Sequence, residues 1–230
     1  MNSFPRHKSP ALDMVCEKIR QRIFKEMFPY VGGRLLEFSY QQKPFRDYFP
    51  DLVQDSSLFE QISGENLDQG SGVYGFDQKL PFESAAFDTI ICVDTLEHVA
   101  DHQTMLKEMN RVLKKTGFLA LTVPHIWGLH QGPADFFRYT KHGIKYLLEQ
   151  SGLEIVSIVA LSGFWLTFSL RFCCHLALKS RLPKVLLNQL ITFSHNVGER
   201  LDKAHYLERE TWGYVVIARK ESDCQLETAV

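Results

Sequence analysis

The stretch Phe87-Asp88-Thr89-Ile90-Ile91-Cys92-Val93 is apolar almost throughout, rich in β-branched residues, and lacks polar-apolar alternation. A strand covered on both faces, as inside a parallel sheet, reads this way. Downstream, Met105, Leu106, Met109, Val112 and Leu113 recur at helical spacing. Lys114 and Lys115 suit the negative end of that helix, and Gly117 suits its stop. A second buried strand is expected from Phe118 to Val123. Ile144, Leu147 and Leu148 then mark a helix closed at Gly152, and Ile155 to Leu161 a third strand. Strands alternating with helices predict a parallel α/β sheet with crossover helices on both faces.

Working outward, Ser9-Pro10 offers a helix cap and a first-turn proline, and Leu12, Val15, Cys16, Ile19 and Ile23 lie at helical spacing behind it. The run Arg34-Leu35-Leu36-Glu37-Phe38, after Gly32-Gly33, reads as the first strand. Ser57-Leu58-Phe59 and Val73-Tyr74 are weaker strand patterns. Two helical patterns, 164–178 and 183–201, precede a last strand at Tyr214 to Ala218. The expected organisation is a helical segment at 1–33, an α/β domain at 34–220 with a helical lid at about 163–210 capping the sheet, and a tail at 221–230.

A chain of 230 residues can bury one sizeable core, and 45% hydrophobic against 23% charged residues fits a folded globular domain rather than a disordered one. The net charge of -1 provides no basic excess to neutralise phosphates, so no nucleic-acid partner is expected. Five cysteines without a CxxC pair suit reduced thiols. The opening MNSFPRHKSP carries no apolar export signal. The apolar-rich stretch 155–170 is shorter than the roughly 20 residues of a membrane span. A cytoplasmic protein is expected on these grounds.

Leu80-Pro81-Phe82 with Phe87-Asp88, then Asp94-Thr95-Leu96-Glu97-His98-Val99, then Glu108-Met109-Asn110-Arg111-Val112-Leu113-Lys114 resemble, in order and spacing, the LPF, FD, LEHV and E-RVLKPGG signatures of class I S-adenosylmethionine-dependent methyltransferases of type 11. Asp135-Phe136-Phe137-Arg138-Tyr139-Thr140 is similar to the P-x-D-x-x-RYT segment of one subgroup. The resemblance implies a Rossmann-like, mostly parallel seven-stranded α/β sheet with helices on both faces, its last strand antiparallel and a helical insertion before it. It also implies S-adenosylmethionine as cofactor and methyl transfer to a small-molecule or glycan-like acceptor. By the same resemblance Glu37, Ser39 and Gln41 meet the cofactor's amino-acid end, Gln61 its ribose, Phe76 and Asp77 its adenine, and Asp94 and Leu96 the floor near the methyl group. Ser39 and Gln41 stand where the family has glycines, Gln61 where it has an acidic residue, and Phe76 where it often has aspartate. Those replacements motivate a second reading, an inactive member serving as a binding or scaffold module.

His98 and His130 are the candidate bases for removing an acceptor proton. Against that, Glu97 and His98 could cap the following helix with Leu96 packed beneath the sheet, and His130 in its glycine-flanked loop reads as exposed. Arg138 could orient an anionic acceptor with Tyr139 beside it; the alternative has Thr140 capping a helix and Tyr139 in the core. Asp94, Glu97, His98 and His130 resemble the E-x-x-E-H and distant His metal set of small-RNA 2′-O-methyltransferases, but Asp94 replaces the first glutamate, and no metal is assigned. Trp165, Phe168, Phe172 and Leu176 form an aromatic stripe near Arg171, Lys179, Arg181 and Lys184. Packing explains such a stripe; peripheral membrane contact through 164–201 is the other reading.

Overall fold

Leu35, Leu36 and Phe38 are buried within the first strand of a sheet that has six strands among the residues described by the computed structural model: 9–39, 59–63, 79–130 and 132–220. The strands are β1 (Leu35–Ser39), β2 (Phe59–Ser63), β3 (Phe87–Val93), β4 (Leu113–Pro124), β5 (Leu153–Ala160) and β6 (Gly213–Lys220). They lie in the order β2-β1-β3-β4-β6-β5. β1 runs parallel to β2 and β3, and β3 to β4, while β6 runs antiparallel between β4 and β5. The last strand is therefore antiparallel, as expected. The expected seventh strand at Val73-Tyr74 lies outside the described residues, as does the tail.

Among the described residues five α-helices cover the sheet: α1 (Pro10–Met27), α2 (His102–Val112), α3 (Lys141–Glu149), α4 (Phe164–Lys179) and α5 (Lys184–Ala204). One face packs Ile90, Cys92, Leu119 and Leu121 against Met105, Leu106 and Met109 of α2 and Ile144 and Leu148 of α3. The other packs Ile91, Ala120, Val215 and Ile217 against Leu12, Val15 and Ile19 of α1, Leu170 of α4 and Ile191 of α5. Successive strand residues point to opposite faces, so two covered faces demand apolar residues at consecutive positions. That is why the run 87–93 shows no alternation.

The helical insertion, α4 and α5, packs on itself and, through α5, on α1, completing the layer on one face of the sheet. A single helix is too narrow to cover that face, since its apolar stripe spans only part of its circumference. Lys114, Lys115 and Gly117 were read as the end of α2, but α2 stops at Val112 and β4 begins at Leu113. The last carbonyls of α2 are taken by loop amides, Ala85 N–H donating to Arg111 O (3.0 Å) and Ala86 N–H to Val112 O (2.8 Å). Lys114 then pairs with the Asp88 carboxylate at 2.7 Å. Gly117 is required by close approach: a Cβ there would lie 2.8 Å from the Asp88 carbonyl oxygen.

Helix termini follow the sequence elsewhere. Ser9 Oγ accepts from Leu12 N–H ahead of Pro10, and Thr140 Oγ1 accepts from Gly143 N–H (2.9 Å) at the start of α3. Gly152 closes α3 with φ of +72°, a conformation that favours glycine. The start of α4 has no local cap. Asp202 of α5 reaches across, accepting from the amides of Gly163 (2.6 Å), Trp165 (2.9 Å) and Leu166 (3.2 Å). Among the described residues no helix is long and apolar enough to cross a membrane.

Candidate functional site

The chain leaves β1 toward β2 on one side and β3 toward β4 on the other, so the order reverses between β1 and β3. Ligands of open α/β sheets bind beyond the carboxyl ends of strands at such a switch point. The register sets Glu37 beside Ile91 and Gln61, and Ser39 beside Val93. Glu37 is buried. Just past β3, Asp94 adopts φ of 44°, a left-handed turn uncommon for a non-glycine residue. Its amide donates to Thr122 Oγ1 (2.9 Å), whose hydroxyl donates to Asp94 Oδ1 (2.7 Å). Asp94 Oδ2 is buried with no hydrogen-bond partner among the described residues. Thr95 Oγ1 donates to Val93 O (2.8 Å) and reaches Phe38 O (3.4 Å), tying the end of β3 to β1.

Leu96–His98 forms a single 3-10 turn. Leu96 is fully buried in the α2 face of the core. Glu97 and His98 do not cap α2; Asp101 does, accepting from Thr104 N–H at 3.0 Å. Instead Glu97, 1% exposed, lies between two imidazoles, its Oε1 3.8 Å from His98 Nε2 and 3.7 Å from His130 Nε2. The two rings sit edge to face with centroids 5.0 Å apart. Burial pushes the Glu97 carboxyl up to about 7; His130 opposes the rise and Asp94 adds to it. Burial also lowers the His98 pKa, favouring the neutral ring, and because a carbonyl can only accept, Nδ1–H donates to Ala134 O (2.5 Å) and the neutral ring's lone pair lies on Nε2. Burial alone would lower His130 as well, but Glu97 and Asp135 raise it.

His130 was read as exposed, and its side chain is only 7% exposed. The reason lies in Asp135 and Arg138. Asp135 Oδ2 accepts the His130 amide (2.8 Å), and both oxygens of Asp135 accept from the Arg138 fork at 2.6 and 2.7 Å. Arg138 also donates to the carbonyls of Trp127, Gly128 and Phe137. Its donors, expected to face an anionic acceptor, are thus engaged in holding the 127–138 loop. Tyr139 is buried, its hydroxyl donating to Leu96 O (3.1 Å) and meeting His102 Nδ1 (3.1 Å). The Phe136 and Phe137 amides both donate to Glu97 O, which carries the loop up to the end of β3.

Of the expected cofactor residues, Glu37, Asp94 and Leu96 flank the switch point, and Ser39 and Gln61 occupy β1 and β2. Gln41, Phe76 and Asp77 lie outside the described residues. Thr122 and Asp135 are site residues that the sequence reading does not assign. Thr122 sits in an apolar strand with no local signal; Asp135 begins the quoted P-x-D-x-x-RYT match, and its partner Arg138 three residues on was the available clue.

Solved methyltransferase structures align with this chain over most of its length. This is the class I methyltransferase fold. An S-adenosylmethionine-dependent methyltransferase from Archaeoglobus fulgidus aligns with a TM-score of 0.51 at 18% identity, over 89% of this chain and 94% of that one. The cyclase SpnF aligns with a TM-score of 0.56 at 16% identity, over 89% and 80%. The methyltransferase fold therefore hosts more than one chemistry. A methyltransferase-domain family model matches residues 69–121. A demethylmenaquinone methyltransferase of Thermotoga maritima is 25% identical over 138 residues, 50% of this chain and 59% of that protein. One from Bacillus pumilus is 37% identical over 70 residues, 29% of this chain and 30% of that one. The matched part thus spans less than two thirds of these relatives' length.

Proposed function

We propose that this chain transfers the methyl group of S-adenosylmethionine to a small-molecule acceptor. One observation carries the reading: two buried carboxylates, Glu37 and Asp94, flank the switch point, and Asp94 keeps an unbonded oxygen there. A buried polar atom without a partner is costly unless a ligand supplies one. The cofactor, when bound, supplies an electrophilic methyl group. Glu37 would accept hydrogen bonds from its amino-acid end, the Gln61 position would meet its ribose, and Asp94 and Leu96 would form the floor. Ser39, Gln41, Phe76 and Asp77 complete the expected set. The inactive-module alternative rests only on the replaced family positions, with no further support from the described structure.

The acceptor would occupy a groove of about 390 Å³ between Ile126, just past β4, and Phe164, Thr167, Phe168, Arg171 and Phe172 of α4. Its mostly apolar wall, with three phenylalanine rings, suits an acceptor with an apolar or flat ring face, with Arg171 and Glu210 available to polar groups. A quinone-type acceptor, as in the relatives' names, meets that description, and a glycan-like acceptor is the second reading. Phe164, Phe168 and Phe172 stack successively along α4 at 6.3 Å and are exposed. With Arg171, Lys179, Arg181 and Lys184 nearby, they support peripheral contact with an anionic membrane from the cytoplasmic side.

Titrating S-adenosylmethionine and S-adenosylhomocysteine by calorimetry tests the proposal. Glu37→Ala should weaken binding roughly tenfold to a hundredfold, the equivalent of about 1.5–3 kcal/mol for a hydrogen bond to a charged group. Restoring glycines with Ser39→Gly and Gln41→Gly should tighten it. No binding at millimolar ligand would overturn the reading.

A further inference from the structure

Glu97, His98 and His130 form the one group of three such donors among the described residues whose ligating atoms all lie within 4.8 Å of one another. We infer that these three residues form a binding site for a first-row divalent transition-metal ion, zinc being the reference case. Ligand bonds of about 2.0–2.1 Å in a tetrahedral site put donor atoms roughly 3.4 Å apart. The two Glu97 distances, 3.7 and 3.8 Å, need to contract by only a few tenths of an ångström.

The surroundings are arranged as an ion would require. Glu97 Oε2 and His130 Nε2 are buried and have no hydrogen-bond partner among the described residues, although Glu97 is 1% exposed and the His130 side chain 7%. His98 donates its Nδ1–H to Ala134 O, the hydrogen bond that fixes a ligating imidazole in orientation and tautomer and leaves Nε2 to the metal. His130 Nδ1 lies 3.3 Å from Gly128 O and 3.5 Å from Asp135 Oδ2, with an Arg138 nitrogen 3.2 Å away. Two imidazoles and one carboxylate are a donor set that suits zinc or iron(II), and three protein ligands leave a further position open to water or to an acceptor oxygen. Asp94, bonded to Thr122, is outside the set. The site does not depend on the cofactor reading.

Untagged protein, stripped with a chelator and dialysed, should bind one Zn(II) per chain by calorimetry and one Co(II) by visible absorption. His130→Ala and Glu97→Gln, each checked for folding by circular dichroism, should each weaken Zn(II) binding at least about a hundredfold. Asp94→Asn should keep Zn(II) affinity while losing affinity for S-adenosylmethionine, which separates failure of this site from failure of the cofactor site. Wild-type protein that binds no stoichiometric ion overturns the inference. So does unchanged affinity in folded His130→Ala and Glu97→Gln, or loss of the ion in Asp94→Asn.

Discussion

Polar clusters stand near both ends of β3, and they differ in one respect. Near its amino end, Glu108 and Arg111 of α2 clamp the Leu80-Pro81-Phe82 loop, and their bonding is complete. Arg111 bonds both oxygens of Glu108 at 2.8 Å, the carbonyl of Phe82 at 2.8 Å and that of Leu80 at 3.1 Å, while the Leu80 amide donates to Glu108 at 2.8 Å. At the carboxyl end, Asp94 Oδ2, Glu97 Oε2 and His130 Nε2 are buried without partners among the described residues. A satisfied network rigidifies a fold, whereas buried unsatisfied groups cost stability and persist where a ligand uses them. The first cluster holds the scaffold, and the second is where the proposed chemistry is concentrated.

Arg111→Ala is expected to break the contrast most visibly. It leaves the Glu108 carboxylate with the Leu80 amide but without the guanidinium, and two loop carbonyls without their side-chain donor, and solvent reaches them only in part, so urea denaturation should read a loss of about 2 kcal/mol. Asp202→Ala removes a carboxylate shared by three amides at the start of α4, with an expected cost of about 1–2 kcal/mol in the same measurement. Glu97→Gln should go the other way. It removes a buried charge that lacks a full set of bonds, so metal-free protein should keep its stability or gain up to about 1 kcal/mol. A loss as large as that of Arg111→Ala would make the carboxyl-end cluster structural and erase the distinction.

The smallest effect concerns pH. The hydrogen bond from Arg111 holds the Glu108 carboxyl below its ordinary value of 4.5. A carboxylate depressed in the folded state contributes stability that is present above the unfolded pKa and is lost as pH falls through the folded one. Stability of the parent should therefore fall with acid below about pH 4.5 more steeply than that of Glu108→Gln, as followed by acid titration of the far-ultraviolet signal.

The clamp also shows how much the sequence disclosed. Glu108, Arg111 and the LPF loop were all within the matched signatures, yet their joint role was not legible, because it depends on a loop 26 to 31 positions earlier returning beside α2. The end of α2 was misread for a related reason. Lys114, Lys115 and Gly117 have helix-end chemistry, but Ala85 and Ala86 supply the last turn with donors from outside the helix. The placement of α4 and α5 in the layer with α1, rather than over the strand ends, followed from which face of the sheet remained uncovered, a property of the assembled sheet alone.

By itself the sequence determined the alternating order of strands and helices, the caps at Ser9 and Thr140, the stop at Gly152, and the presence of acidic and imidazole groups after β3. These are local properties, set by periodicity and by the conformational preferences of single residues. Only the tertiary structure decided that Glu97, His98 and His130 converge while Asp94 turns to Thr122, and that Arg138 is engaged by Asp135. Residue 130 is brought to residue 97 by hydrogen bonds from the Phe136 and Phe137 amides to the Glu97 carbonyl and by the Asp135 clamp, and such long-range bonding leaves no period in the sequence.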